Sequence, residues 1–198
     1  MSSDLPGSAP PRKGLPKFVK VLLILIAVGV LGVGAAAGYL STLPDEFRIE
    51  RSMTMAAPPE VVFAQVNDFR NWEHWSPWAK LDPNAKNTFE GPETGPGAVF
   101  KWAGNNEVGE GAMTITETTP PERLKLRLDF EQPMKDTSDT EFTFKSEGDQ
   151  TVVTWSMSGR YQNLFGKAFC KLMNMDQMLG DKFIEGLTSM KRIVETKS

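Results

Sequence analysis

The chain has 198 residues, 40% of them hydrophobic, which is enough for one domain of about 150 residues with a substantial core plus an appended segment, and too short for two full domains. Its single cysteine, Cys170, excludes an internal disulfide and is compatible with reducing or oxidising compartments alike. The net charge of −3 is unevenly placed: residues 1–40 hold Arg12, Lys13, Lys17 and Lys20 against Asp4, leaving 18 basic and 24 acidic residues elsewhere, so the remainder is acidic and no nucleic-acid partner is expected.

The first 16 residues, rich in Ser, Pro and Gly, read as a disordered tail. From Val21 to Leu40 the chain carries twenty consecutive uncharged residues, VLLILIAVGVLGVGAAAGYL. As a helix rising about 1.5 Å per residue, they span about 30 Å, the thickness of a hydrocarbon core. A helix also satisfies its own backbone polar groups there. The same stretch resembles a signal peptide: Lys17 and Lys20 precede it, and Ala35-Ala36-Ala37 fits an A-x-A cleavage site. The apolar run nevertheless continues through Gly38, Tyr39 and Leu40, with Tyr39 suited to an interface, which favours a retained anchor. Four basic residues before the helix, with Asp45 and Glu46 after it, place the N-terminus in the cytoplasm by the positive-inside rule. The expected organisation is a cytoplasmic tail over 1–17, a single-pass transmembrane helix over 18–40 in a cell (inner) membrane, a linker over 41–46 and an extracytoplasmic or periplasmic domain over 47–198. So short a linker should keep that domain close to the membrane surface.

Phe47 to Met55 reads as a first strand, with Phe47, Ile49, Met53 and Met55 on one face and Arg51 standing among them. Pro58-Pro59-Glu60 opens a helix, since proline suits the first turn and an acid favours the positive end of the dipole; Val62, Val66 and Phe69 form its stripe, widened by Phe63. The densest aromatic stretch follows, Asn71-Trp72-Glu73-His74-Trp75-Ser76-Pro77-Trp78, a short helix or turn ended by Pro77. The middle alternates as β-structure, with strands expected at 88–90, 98–102, 112–118, 123–130, 140–145 and 151–158. Leu124, Leu126, Leu128 and Phe130 alternate with Lys125, Arg127 and Asp129, the mark of an antiparallel sheet with one covered and one wet face. Asn163 to Asn174 forms a short helix or a crossing segment, and a longer helix runs from about Asp176 to Glu195 with Leu179, Phe183, Leu187, Met190 and Val194 as its stripe. Strand, helices, a run of strands and one long helix make an α+β domain.

The first strand, Ala57-Pro58-Pro59-Glu60-Val61-Val62-Phe63, Asp68-Phe69, Asn71-Trp72, Trp75-Ser76-Pro77-Trp78, and Met175-Asp176-Gln177-Met178 with Phe183-Ile184-Glu185-Gly186-Leu187 resemble the SRPBCC, or START-like, superfamily. The nearest likeness is to its polyketide cyclase/dehydrase and lipid-binding types, and the last two stretches resemble the terminal helix of bacterial members. The resemblance covers nearly all of Phe47–Glu195 and implies a helix-grip fold: a curved antiparallel sheet wrapped around the long C-terminal helix, with a cavity between them for lipids, sterols, polyketides or quinones. Fold alone does not choose among these, nor between binding and catalysis.

On that resemblance, Trp72, Trp75, Trp78, Phe100, Trp102, Leu126, Leu128, Phe142, Trp155, Met175, Leu179, Phe183 and Leu187 are expected to line the cavity, the three tryptophans of 72–78 either as a lid over its mouth or as packing that closes one end of the sheet, with Arg51 as a polar ligand contact or a structural partner of a nearby acid. Met173, Met175, Met178 and Met190, with Gly180 and Gly186, make the last helix soft, as an adaptable cavity wall or as ordinary core. The only histidine, His74, has no nucleophile motif beside it, and Asp82, Glu90 and Asp129 are scattered carboxylates, so no catalytic or metal-binding set is evident and no cofactor is expected. The leading expectation is a membrane-tethered binding module for a small apolar or lipid-like ligand. The alternative is an enzyme of the cyclase/dehydratase type using the same cavity. Oligomeric state is not readable.

Overall fold

The computed structural model describes residues 16–196, so the expected tail falls outside them except for Pro16 and Lys17. The chain divides after Leu43 into two compact units.

The first unit is one helix, α1 (Lys17–Thr42), none of whose residues is buried. It is long and apolar enough to cross a membrane, a test that a signal sequence near the N-terminus also passes. It runs two residues past the expected end because Ser41 and Thr42 donate their hydroxyls to the carbonyls of Gly38 and Tyr39, satisfying acceptors that a helix end would leave open.

The second unit opens with β1 (Glu46–Met55), continues through α2 (Pro59–Asn67), a 3-10 turn at Phe69–Asn71 and the single turn α3 (Trp72–Trp75), and then builds six more strands. These are β2 (Lys86–Glu90), β3 (Val99–Ala103), β4 (Glu110–Thr119), β5 (Arg123–Gln132), β6 (Asp136–Glu147) and β7 (Gln150–Arg160). All pair antiparallel in the order β1-β7-β6-β5-β4-β3-β2, with α4 (Leu164–Leu172) and α5 (Met175–Thr196) following. Asn174, in the left-handed region at φ 48°, turns α4 into α5, a conformation that asparagine tolerates better than most residues. The long helix packs on β1, α2, α3 and α4. The result is the expected α+β, helix-grip arrangement of a curved antiparallel sheet with a long C-terminal helix.

The aromatic stretch closes α2. The last carbonyls of that helix are taken by side chains that follow it: Asn71 Nδ2 donates to Ala64 at 3.0 Å, Trp75 Nε1 to Gln65 at 3.0 Å and Trp72 Nε1 to Val66 at 3.0 Å. Buried tryptophans need an acceptor for the indole N–H, and a helix C-terminus needs donors. Each supplies what the other lacks.

Candidate functional site

The register sorts the inner sheet face into rows that cross the strands. One row runs Leu124–Phe142–Trp155–Arg51. On it sit Trp72, Trp75 and Phe183. The Trp155 and Phe183 rings stack at 4.2 Å and 7°, Trp155 and Phe142 at 4.9 Å, and Trp72 and Trp75 lie 4.5 Å apart. Offset and edge-to-face contacts of this kind add about 0.5–1.5 kcal/mol each beyond area burial. Of the expected site residues, Trp72, Trp75, Leu126, Phe142, Trp155, Phe183 and Leu187 are buried in this packed cluster.

Arg51 belongs to the same row and points under α5. Its guanidinium donates to the Asp176 carbonyl at 3.0 Å, the Asp176 carboxylate at 3.1 Å and the Glu50 carbonyl at 2.7 Å. Those bonds tie β1 to the first turn of α5. Of the two roles considered for Arg51, the observed bonds are those of the structural one.

Toward the other end of the same face the packing opens. A second row runs Phe89–Phe100–Met113–Leu128–Ser138, and Phe47 faces Gly159 on the far strands. Phe100, Met113, Leu128, Phe130 and Leu179 are half-buried, and Trp78 and Trp102 likewise stay partly open. Phe89 stacks on Phe100 at 5.4 Å, Phe100 on Trp102 at 5.9 Å, and Trp102 meets Phe130 edge-on at 6.1 Å. Gly111 leaves room for that indole: a Cβ there would meet the Trp102 ring at 2.5 Å and the Asp129 carbonyl at 2.6 Å. Trp102 is then held by its N–H to the Val108 carbonyl at 3.0 Å. Ser138, buried in the middle of the row, has a hydroxyl without a hydrogen-bond partner, and so has the Trp155 indole N–H in the packed cluster.

This half-open aromatic floor brings together Phe100, Trp102 and Leu128, with Leu179 and Trp78 also short of full burial. Met175 is half-buried at the start of α5. Met113, Phe130 and Ser138 were missed from sequence. The alternation of β5 already placed Phe130 on the face of Leu128, but nothing local reveals that Ser138 falls opposite Leu128.

Two concavities lie elsewhere. An open cleft of about 650 Å³ is lined by Pro59, Glu60, Pro121, Glu122, Phe144 and Lys145, and a recess of about 30 Å³ sits beside Phe69, Phe89 and Ala98. The first is of ligand size. Its charged rim suits an apolar guest poorly, and none of the expected site residues lines either one. The aromatic floor is therefore the better candidate on chemistry.

The titratable groups singled out from sequence lie apart from the floor. His74 is exposed on α3 beside Glu73, 3.4 Å away. Burial pushes the Cys170 thiol up, with the Asp136 charge adding to it, so the thiol is protonated at neutral pH. Among the described residues no group of three or more His, Cys, Asp or Glu is placed to hold a metal ion.

The fold and floor together define a helix-grip protein with an apolar inner face. The chain belongs to the polyketide cyclase/dehydrase and lipid transport family, whose model matches residues 46–195. It is similar to the Aha1 protein of Colwellia psychrerythraea, solved as a dimer, at 16% identity and TM-score 0.54 over 75% of this chain and 96% of that one. It is also similar to MLL2253 of Mesorhizobium loti, at 11% identity and TM-score 0.56 over 77% and 99%. DynU16, from the dynemicin biosynthetic locus, matches at 16% identity and TM-score 0.54 over 79% of this chain and 49% of that one. At these identities the likeness is one of fold. No curated protein sequence matches.

Proposed function

We propose that the chain is a membrane-anchored binding module that holds a small apolar or lipid-like ligand against the aromatic floor formed by Phe100, Trp102, Met113, Leu128 and Phe130. The observation that carries it is the contrast within one sheet face: a solid aromatic cluster at Phe142–Trp155–Phe183 and, two rows away, large apolar side chains left half-open. A finished core would cover those side chains, because burying a large apolar side chain fully is worth about 1.5–3 kcal/mol. The family's lipid transport members favour a ligand as the missing cover. In this reading α1 is retained as a single-pass anchor in a bacterial inner membrane, with the N-terminus cytoplasmic and the domain outside, and the cysteine-poor domain is a tethered receptor. The cyclase/dehydratase alternative would need its chemistry on the same floor, whereas Arg51 spends its hydrogen bonds on α5 and His74 faces solvent.

The test is photo-crosslinking of the full chain in native membranes with a diazirine-bearing fatty acid, followed by peptide mapping. Adducts on β3 and β5, reduced by Leu128→Gln, are the expected result. Adducts confined to α1, or unchanged by the substitution, would overturn the proposal.

A further inference from the structure

Helix α4 is folded inside out. Its lysine, Lys167, is 3% exposed and pairs with Asp45 at 2.6 Å, whereas Phe165 is 80% exposed and Leu172 86% exposed. Phe165, Phe169 and Leu172 fall at spacings of four and three, on one face of the helix, and Leu164 and Met173 extend the exposed apolar surface at its two ends. The helix is well made: Asn163 caps it by accepting from the Gly166 N–H at 2.8 Å. A water-facing helix normally turns its charges out and its Phe and Leu in. Here the ion pair fixes the opposite orientation, and a contiguous apolar face of this kind marks a contact with something apolar.

We infer that this face of α4 docks into the surface of a lipid bilayer. Three observations select the bilayer over other partners. First, Asp45, which holds Lys167, is separated from the last residue of α1 by only Leu43 and Pro44, so chain connectivity alone keeps it within about 10 Å of Thr42. Second, α4 carries Lys167 and Lys171 and no acidic residue, in a domain that is otherwise acidic, and Arg160 at the end of β7 acts on Asp45 as a further positive charge. Lys167 is turned inward on Asp45, so Lys171 is the exposed cation of the helix. Aromatic and aliphatic side chains on one face with a basic residue on the flank form the pattern of a helix lying in the headgroup region above anionic lipid. Third, α1 has no buried residue and is long and apolar enough to cross a membrane, so a bilayer would solvate it as well. The inference rests on α1 being retained as a membrane span. In this position α4 and the neighbouring exposed Met178 on α5 make the bilayer itself the reservoir from which the domain takes an apolar ligand.

The experiment uses the full chain with Cys170→Ser, carrying Phe165→Cys, Leu172→Cys or, as a water-facing control, Met134→Cys, each spin-labelled in nanodiscs of equal phosphatidylcholine and phosphatidylglycerol. Carbonate extraction first tests the anchor: a chain released from membranes overturns the anchor reading and the docking together. For an embedded chain, the ratio of oxygen to nickel-chelate accessibility at 165 and 172 should stand several-fold above that at 134, and should fall in discs of phosphatidylcholine alone. Labels at 165 and 172 as wet as the control would overturn the docking and leave the anchor intact. Labels shielded from both reagents and coupled to each other between chains would assign the face to a second copy, and overturn it equally.

Discussion

Gly180 lies directly against the Arg51 guanidinium, with no space for a side chain between them. A side chain at 180 would stand on the Arg51 guanidinium, with Nη2, Cζ and Nε its nearest neighbours, so the glycine is the gap through which β1 reaches α5. The guanidinium is a flexible tip, yet it cannot move aside freely, because three hydrogen bonds to Glu50 and Asp176 hold it. Gly180→Ala should therefore destabilise the full chain by about 1–3 kcal/mol in chemical denaturation, despite alanine's advantage inside a helix. In an Arg51→Ala background the same change should become stabilising by about 0.5–1 kcal/mol, the ordinary propensity gain. An equal effect in both backgrounds would show that the two residues do not meet.

Trp72 gives a second test. Replacing it by phenylalanine keeps an aromatic ring beside Trp75 and Phe142 but leaves the Val66 carbonyl without its donor. A buried acceptor stranded in this way costs about 1–3 kcal/mol. For a domain of about 150 residues that lowers Tm by about 2–4 °C per kcal/mol, readable by thermal circular dichroism. An unchanged Tm would place the α2 carbonyl in contact with water.

Ser138→Ala should act in the opposite direction. The hydroxyl is buried and has no hydrogen-bond partner, so removing it relieves a desolvation cost rather than breaking a bond. The variant is expected to match or exceed the parent by up to about 1–2 kcal/mol in denaturant titration. A clear loss of stability would show the hydroxyl to be satisfied.

The Asp45–Lys167 pair predicts a pH dependence. The hydrogen bond and charge of Lys167, with a smaller contribution from Arg160, hold the Asp45 carboxyl below its usual range against a small desolvation effect. A carboxylate whose folded value is depressed contributes stability above its unfolded value and loses it as pH falls through the folded one. The parent should therefore be more stable than Asp45→Asn at neutral pH. The difference should shrink from about pH 5 downward and vanish in strong acid. A difference constant with pH would assign the effect to packing.

Much of this fold is legible in the sequence because its signals are local. All seven strands, α2 and the long terminal helix fall where alternation and the 3.6-residue period put them, and Phe183, Leu187, Met190 and Val194 are buried as their stripe requires. The misjudged boundary is instructive. Strand β6 begins at Asp136 rather than near Thr140, because Asp-Thr-Ser-Asp has little strand preference of its own and is carried by pairing with β5 from Arg127 to Phe130. The site was harder to see. Whether Phe142 or Leu128 ends up sealed depends on which rings fill the space above each row, and those rings arrive from α3 and α5. Likewise, the letters of α4 read as a short helix or a crossing segment. Only the distant partner of Lys167 reveals which way it turns.

The sheet order also sets a timetable. Strand β1 sits at one edge, bonded to β7 alone within the sheet, and α5, which follows all seven strands, packs against it. The segment that ends at Met55 thus waits for Gln150–Arg160 to be synthesised, an interval on the order of ten seconds at ordinary elongation rates. Helix α1 is finished before that interval starts. The apolar helix is thus complete while the sheet behind it still lacks β7, and α5 can pack on β1 only after that strand is in place. Until Gln150–Arg160 is made, β1 has no partner within the sheet, and that edge stays open.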